Sequence, residues 1–446
     1  MKKLFQILFG LVLSLPLCAF CLEKPSFDSR SILPETDSGN VPESPAKPAP
    51  VEAPENVRFK TLEGLVMAGY QGWFNTPADG AGLGWKHWQK QGKFEPGMCT
   101  IDLWPDMSEY EISYPTAFRH ADGSVARVFS PRDKSTVDVH FKWMQQYGID
   151  GAFMQRFVTS LRTPAVRANY EVILMNAVEA AEKFDRAISV MYDLSGMKPG
   201  EQQIVKEDWI RLNEVYKLTS RENNHYLHHN GRPLVCLWGI GFSGKNRKYG
   251  LDEAQDLIDF FREQGCSILL GVPSRFHLLN NDTVSDPRAH EIFRQADVLH
   301  PWFVGRYDID SYDKFAREII PAQIKWCKKN KVDYIPVCYP GFSWHNMKPD
   351  TPFAKIPRHG GRFFWKQLKT VVGYGAKSIY ISMFDEVDEG TAIFKCTNTP
   401  PVGQNGEQLF IDYEGLPSDH YLWLSGMGAK LLRGEIKPTE ELPFRK

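Results

Sequence analysis

The stretch Ser382–Thr391 reads S-M-F-D-E-V-D-E-G-T. It follows Ser378–Ile381 (S-I-Y-I), whose aromatic and β-branched residues suit a buried strand. Four carboxylates, Asp385, Glu386, Asp388 and Glu389, then fall within five residues, and Gly390 supplies the backbone freedom for a sharp turn. Acids beside an apolar strand are costly unless they face water, a cation or a substrate. A solvated acidic loop is the plain alternative. Against it, Glu386 and Glu389 are three apart, so one tight turn aims both into one space. The end of a strand is also where an α/β barrel keeps its chemistry.

Beyond this stretch, apolar runs alternate with helical patterns from Val57 onward, as parallel β/α architecture requires. Strands are expected at Leu65–Gln71, Gly151–Arg156, Ala187–Asp193, Pro233–Gly239, Ser267–Val272, Asp297–Phe303, Tyr334–Tyr339 and from Ser378. Helices are expected at Thr136–Tyr147, Ala165–Phe184, Glu201–Thr219, Glu253–Gln264, Tyr312–Lys329, Gly361–Val372 and Tyr421–Leu432. Eight strands with helices between most of them predict a (β/α)8 barrel with long loops, residues 57–446.

The rest of the chain is read as export and tether. Residues 1–21 carry Lys2 and Lys3, an apolar segment Leu4–Leu17 and small residues suited to cleavage after Cys21, the pattern of a secretory signal. That segment is short for a membrane span, and bulky Leu17 disfavours a lipid anchor on Cys18. Residues 22–56, rich in Pro, Glu, Ser and Ala, read as a linker. The expected location is outside the cytoplasm, secreted, periplasmic or at the cell surface.

With 42% hydrophobic residues and a formal net charge of -1 over 446 residues, the chain has ample core and no general attraction for nucleic acid. Cys99, Cys236, Cys266, Cys327, Cys338 and Cys396 show no C-x-x-C spacing, which argues against a zinc cluster. Cys236 and Cys338 fall in apolar strands and read as core residues. His225, His228 and His229 beside Asn230-Gly231 are read as serving a helix end rather than a metal. No nucleophile elbow, P-loop or dinucleotide fingerprint is present, and no cofactor is expected.

The candidate site is collected from the residues at and just past the strand ends. Glu386 and Glu389 are the candidate catalytic pair. Tyr70, Gln71, Trp73, Asp102, Trp104, Tyr192, Asp193, Trp238, Trp302, Tyr339, Trp344, His345 and Asp385 are candidate substrate contacts. Paired acids among aromatic rings in an exported barrel suit glycoside cleavage, where one acid protonates a leaving oxygen and a second group attacks or removes a proton. The same residues also fit a non-catalytic carbohydrate-binding barrel.

D-E-V-D-E-G-T (Asp385–Thr391), A-G-Y-Q-G-W-F (Ala68–Phe74) and P-R-H-G-G-R-F-F-W (Pro357–Trp365) resemble stretches of glycoside hydrolase family 99 and the bacterial 71/99-like group. The resemblance implies a (β/α)8 barrel and metal-independent, retaining cleavage of α-mannoside chains through a 1,2-anhydro sugar. It implies Glu386 as the base acting on the substrate 2-hydroxyl and Glu389 as the acid/base at the glycosidic oxygen. Tyr192 is matched to an active-site residue after the third strand. Val387 stands where the family has Trp, and Asp385 where it has Asn, so a different glycan such as xylan or arabinan is an alternative substrate.

Overall fold

The computed structural model describes residues 47–445 apart from 221, 245 and 246; the signal segment and residues 22–46 of the linker lie outside them. The organising feature is a parallel sheet closed on itself. Its strands are β1 (Val66–Tyr70), β2 (Gly151–Phe157), β3 (Ala187–Asp193), β4 (Arg232–Trp238), β5 (Ser267–Val272), β6 (Val298–Pro301), β7 (Asp333–Tyr334 continuing as Val337–Cys338) and β8 (Ile379–Ile381). Each pairs in parallel with the next, and β1 pairs with both β2 and β8. The ring closes through β7, whose first half pairs with β6 and second half with β8. Ile335-Pro336 divides it, because proline has no N–H for the ladder. The Pro336 carbonyl still accepts from the Tyr380 N–H at 3.0 Å.

A helix follows every strand: α1 (Lys134–Tyr147), α2 (Pro164–Phe184), α3 (Gln202–Tyr216), α4 (Leu251–Glu263), α5 (Arg288–Arg294), α6 (Tyr312–Lys329), α7 (Arg362–Gly373) and α8 (His420–Leu432). Local sequence sets their ends. Pro164 opens α2 with its φ preset, Gly148 closes α1 in the left-handed region, and the Glu253 carboxylate accepts the Gly250 N–H ahead of α4 at 2.8 Å. The (β/α)8 expectation holds. The sequence reading omitted α5, seven residues long behind Pro287, and the hairpin Tyr114–Arg119/Val125–Val128 in the long β1–α1 connection. The Asp122-Gly123 turn between those hairpin strands was its visible signal.

The histidine cluster does not sit at a helix end. His228–His229 form a short antiparallel strand against the start of β4, at the opposite end of the barrel from the acids. His229 Nε2 lies 2.9 Å from Asp333 Oδ2. Residues 47–51 cross the same underside: Lys47 Nζ donates to the Lys331 carbonyl at 2.8 Å, Arg232 Nη2 to the Ala49 carbonyl at 3.0 Å, and the Val51 N–H to the Asn230 carbonyl at 3.2 Å. All six described cysteines are buried free thiols. Among the described residues no helix is long and apolar enough to cross a membrane.

Candidate active site

The three sequence stretches that carry the resemblance meet at one turn. β8 ends at Ile381, the Ser382–Met383 peptide is cis, and the chain then folds back over the acids. Asp385 faces inward to the backbone, not the solvent. Its two oxygens accept the Gln71 and Gly72 N–H groups, each at 2.8 Å, tying this turn to the exit of β1. Gln71 Nε2 in turn donates to Glu386 Oε1 at 2.9 Å, and Thr391 Oγ1 to Glu386 Oε2 at 3.3 Å. From the third stretch, buried Arg358 donates to the Gly390 and Ala392 carbonyls at 2.8 and 2.7 Å, clasping the turn from behind. Gly390 has φ of 62°, and a β-carbon there would press on the Ser343 backbone at 3.1 Å, so the glycine serves both turn and close approach.

Glu386 and Glu389 open into one cleft of about 480 Å³ at the C-terminal end of the barrel. Gln71, Trp73, Asp193, Trp238, Trp302 and Trp344 line it with them. Trp73 stacks on His87, centroids 3.9 Å apart and planes within 4°. Trp238 and Trp302 meet edge to face at 5.2 Å. Such walls suit the flat apolar faces of sugar rings.

Six other candidates lie elsewhere. In a strand successive side chains point to opposite faces, so Tyr70 cannot share the cleft with Gln71, nor Tyr192 with Asp193. Tyr70 instead bonds His140 Nδ1 on α1 at 2.8 Å, and Tyr192 donates to Asp208 on α3 at 2.8 Å, beside the buried Arg156–Asp208 ion pair. Trp104 packs under the hairpin, stacked 5.9 Å from Phe94 with its N–H on the Arg127 carbonyl. Asp102 accepts the His345 and Asn346 N–H groups at 2.6 and 2.8 Å, and His345 Nδ1 lies 2.9 Å from the Thr351 carbonyl, so both hold loops. Tyr339 donates to the Tyr307 carbonyl at 2.6 Å behind the wall. Asp385, the seventh displaced candidate, is the buried backbone clamp described above. Val387, in the family's Trp position, is fully buried, and its carbonyl accepts the Asp102 N–H at 2.8 Å.

The cleft also has lining that the sequence reading did not select, Arg247, Lys355 and Tyr380, together with Arg306, which the strand-end reading does gather beside Trp302. Tyr380 was hidden inside β8, where strand alternation turns it inward; its hydroxyl accepts from Gln155 Nε2 at 3.1 Å.

Burial dominates the electrostatics. It pushes Glu386 well above the usual carboxylate range, reinforced by the charges of Glu389, Asp388 and Asp385 and opposed by the Gln71 amide. Burial raises Glu389 to about 7, with Asp388 adding to the rise and the Trp344 indole and Lys348 opposing it. Asp388 and Asp385 are raised by the same cause to about 8 and about 7. Neighbouring buried carboxylates cannot all ionise together, so this turn keeps protons near neutral pH. Among the described residues no group of three or more His, Cys, Asp or Glu is arranged to hold a metal.

No protein-family model matches the chain. The structure of the family 99 endo-α-mannosidase from Bacteroides thetaiotaomicron superposes with a TM-score of 0.60 at 14% identity, covering 84% of this chain and 99% of that one. The chain has the fold of that family 99 structure. The same enzyme in complex with BIS-TRIS-propane gives a TM-score of 0.60 at 16% identity, again over 84% of this chain and 99% of that one. A glycoprotein endo-α-1,2-mannosidase-like protein of Danio rerio is 26% identical over 133 residues, 29% of each chain, so the match spans under a third of that relative's length. Resemblance to family 99 therefore stands in both sequence and structure.

Proposed function

We propose that this chain is an exported glycoside hydrolase that cleaves α-mannoside linkages in a glycan, retaining configuration and using no metal. The observation that carries this reading is that Glu386 and Glu389, from one turn, line one aromatic-walled cleft at the mouth of a barrel. The apolar segment Leu4–Leu17 behind Lys2 and Lys3 supports export. The family 99 resemblance supports the α-mannoside assignment.

In this reaction Glu386 takes the proton of the substrate 2-hydroxyl as that oxygen attacks C1. The bond from C1 to the leaving oxygen breaks, and Glu389 gives that oxygen its proton. Water then opens the anhydro sugar at C1, with Glu389 taking the water proton and Glu386 returning one to O2. Gln71 holds the Glu386 carboxylate in place.

Incubation with a glycan panel tests this reading. New reducing ends should appear, and Glu386→Gln and Glu389→Gln should each lower their release by roughly 10²–10⁴-fold. On activated aryl glycosides, which need little protonation, the variant at the acid retains most of its rate and so identifies the acid. Substrates with the 2-hydroxyl deleted or methylated should bind without being cleaved. Turnover of the 2-deoxy substrate, or a glycosyl ester trapped on either glutamate, would replace the anhydro route with the two-carboxylate one. Release that ignores both variants would leave a carbohydrate-binding barrel instead.

A further inference from the structure

The cleft is acidic in its depth and basic at its rim. Arg247, Arg306 and Lys355 all line it. Arg306 is neutralised by Asp282, with Nε 3.0 Å from Oδ2. Arg247 and Lys355 have no carboxylate within ion-pair distance among the described residues.

Arg247 is the better placed of the two. Its guanidinium lies 5.4 Å from the Trp238 ring, 4.8 Å from Phe242 and 5.8 Å from Tyr249. Nη1 donates to the Tyr249 hydroxyl at 2.6 Å, and that hydroxyl donates to the Gly239 carbonyl at 2.6 Å. A β-carbon at Gly239 would come within 2.6 Å of the Tyr249 hydroxyl and 2.9 Å of Arg247 Nη1, so a bare backbone is what lets the guanidinium in. The guanidinium is thus fixed against three rings and one hydroxyl, with donors left over; the one cleft carboxylate that feels its charge, Asp193, makes no ion pair with it and is held by burial at about 6. A planar fork of that kind matches the oxygens of a carboxylate or sulfate. The chain as a whole carries a net charge of -1, so this is a local concentration and not general basicity.

We propose that the glycan taken by this cleft carries an anionic substituent, a uronic carboxylate or a sulfate ester, which Arg247 receives as its sugar stacks on Trp238 and Trp302, with Lys355 adding to the attraction at the rim. The inference rests on the cleft being a glycan site. Glu389, the proton donor of the proposed reaction and raised by burial to about 7, adds no charge against such a substituent while it keeps its proton.

The test is binding to the full chain carrying Glu389→Gln, so its outcome does not depend on turnover and is separate from the hydrolysis assay. The probes are polysaccharides in matched pairs, native against carboxyl-reduced and sulfated against desulfated, at about 0.15 M salt, where screening extends beyond about 8 Å. Charged members should be retained and their discharged partners lost, and which pair responds tells carboxylate from sulfate. Arg247→Ala and Arg247→Gln should each weaken retention about 10- to 100-fold, as for lost charge-assisted hydrogen bonds. Arg247→Lys should fall between, keeping charge without the fork. Thermal melting of each variant reports its fold, and the Gln variant serves if Ala unfolds. Equal or tighter retention of the neutral members, retention of no charged member, or charged retention undiminished in folded Arg247 variants overturns the proposal.

Discussion

Asp385 illustrates how far one side chain's role depends on its surroundings. Read along the chain it is one of four acids in a turn, and nothing separates it from its neighbours. In the fold it is fully buried and occupied by two backbone N–H groups of the β1 exit. Asp385→Ala should therefore destabilise the chain by about 2–4 kcal/mol, since two buried donors lose their acceptor. Asp385→Asn, which keeps one acceptor oxygen, should cost about half as much. Urea midpoints would measure both, and equal midpoints for wild type and Asp385→Ala would refute the clamp. The Asn-to-Asp departure from the family pattern thus bears on backbone geometry and only indirectly on substrate.

Among the elements, strand positions were legible because composition changes sharply at their ends: β3, β5 and α6 match their expected bounds to the residue. The facing of side chains at strand ends follows a separate rule. Alternation alone would have removed either Tyr70 or Gln71, and either Tyr192 or Asp193, from the cleft. What no periodicity could supply is the loop traffic that takes Asp102, Trp104, Tyr339 and His345 away from it, because those partners lie far along the chain. Helix contacts are equally non-local. α8 crosses the end of α1 so closely that a β-carbon on Gly426 would run into the Tyr147 carbonyl, which belongs to rigid backbone. Gly426→Ala should lower stability by about 1–3 kcal/mol through overpacking, outweighing its helix-propensity gain of roughly 1 kcal/mol. A thermal midpoint equal to or above wild type would show that the two helices can part without cost.

Over the molecule as a whole, buried titratable groups set the pH response. Asp388, Glu389 and Asp385 have folded values of about 8, 7 and 7, above their unfolded ones. Their protons favour the fold at low pH, and that support fades as pH rises through the folded values. His87 and His140, buried and lowered to about 3, work the other way: their support is complete above about 6.5, the unfolded histidine value, and is lost below it. The two sets oppose one another in acid, so above about 6.5 only the carboxylate trend remains. The melting temperature should fall between pH 6.5 and 8, and Asp388→Asn should flatten that fall; a midpoint rising across this window would contradict it. The barrel itself was legible from the alternation of apolar runs and helical patterns, whereas this balance of charges needed the burial of each group. The cysteines carry a different consequence. Burial raises all six described thiols, to about 12 for Cys99, Cys266 and Cys396 and higher for Cys236, Cys327 and Cys338. A disulfide reagent meets almost no thiolate while the barrel is closed. The rate at which it consumes them is therefore a stopwatch for opening, built into the chain and needing no label.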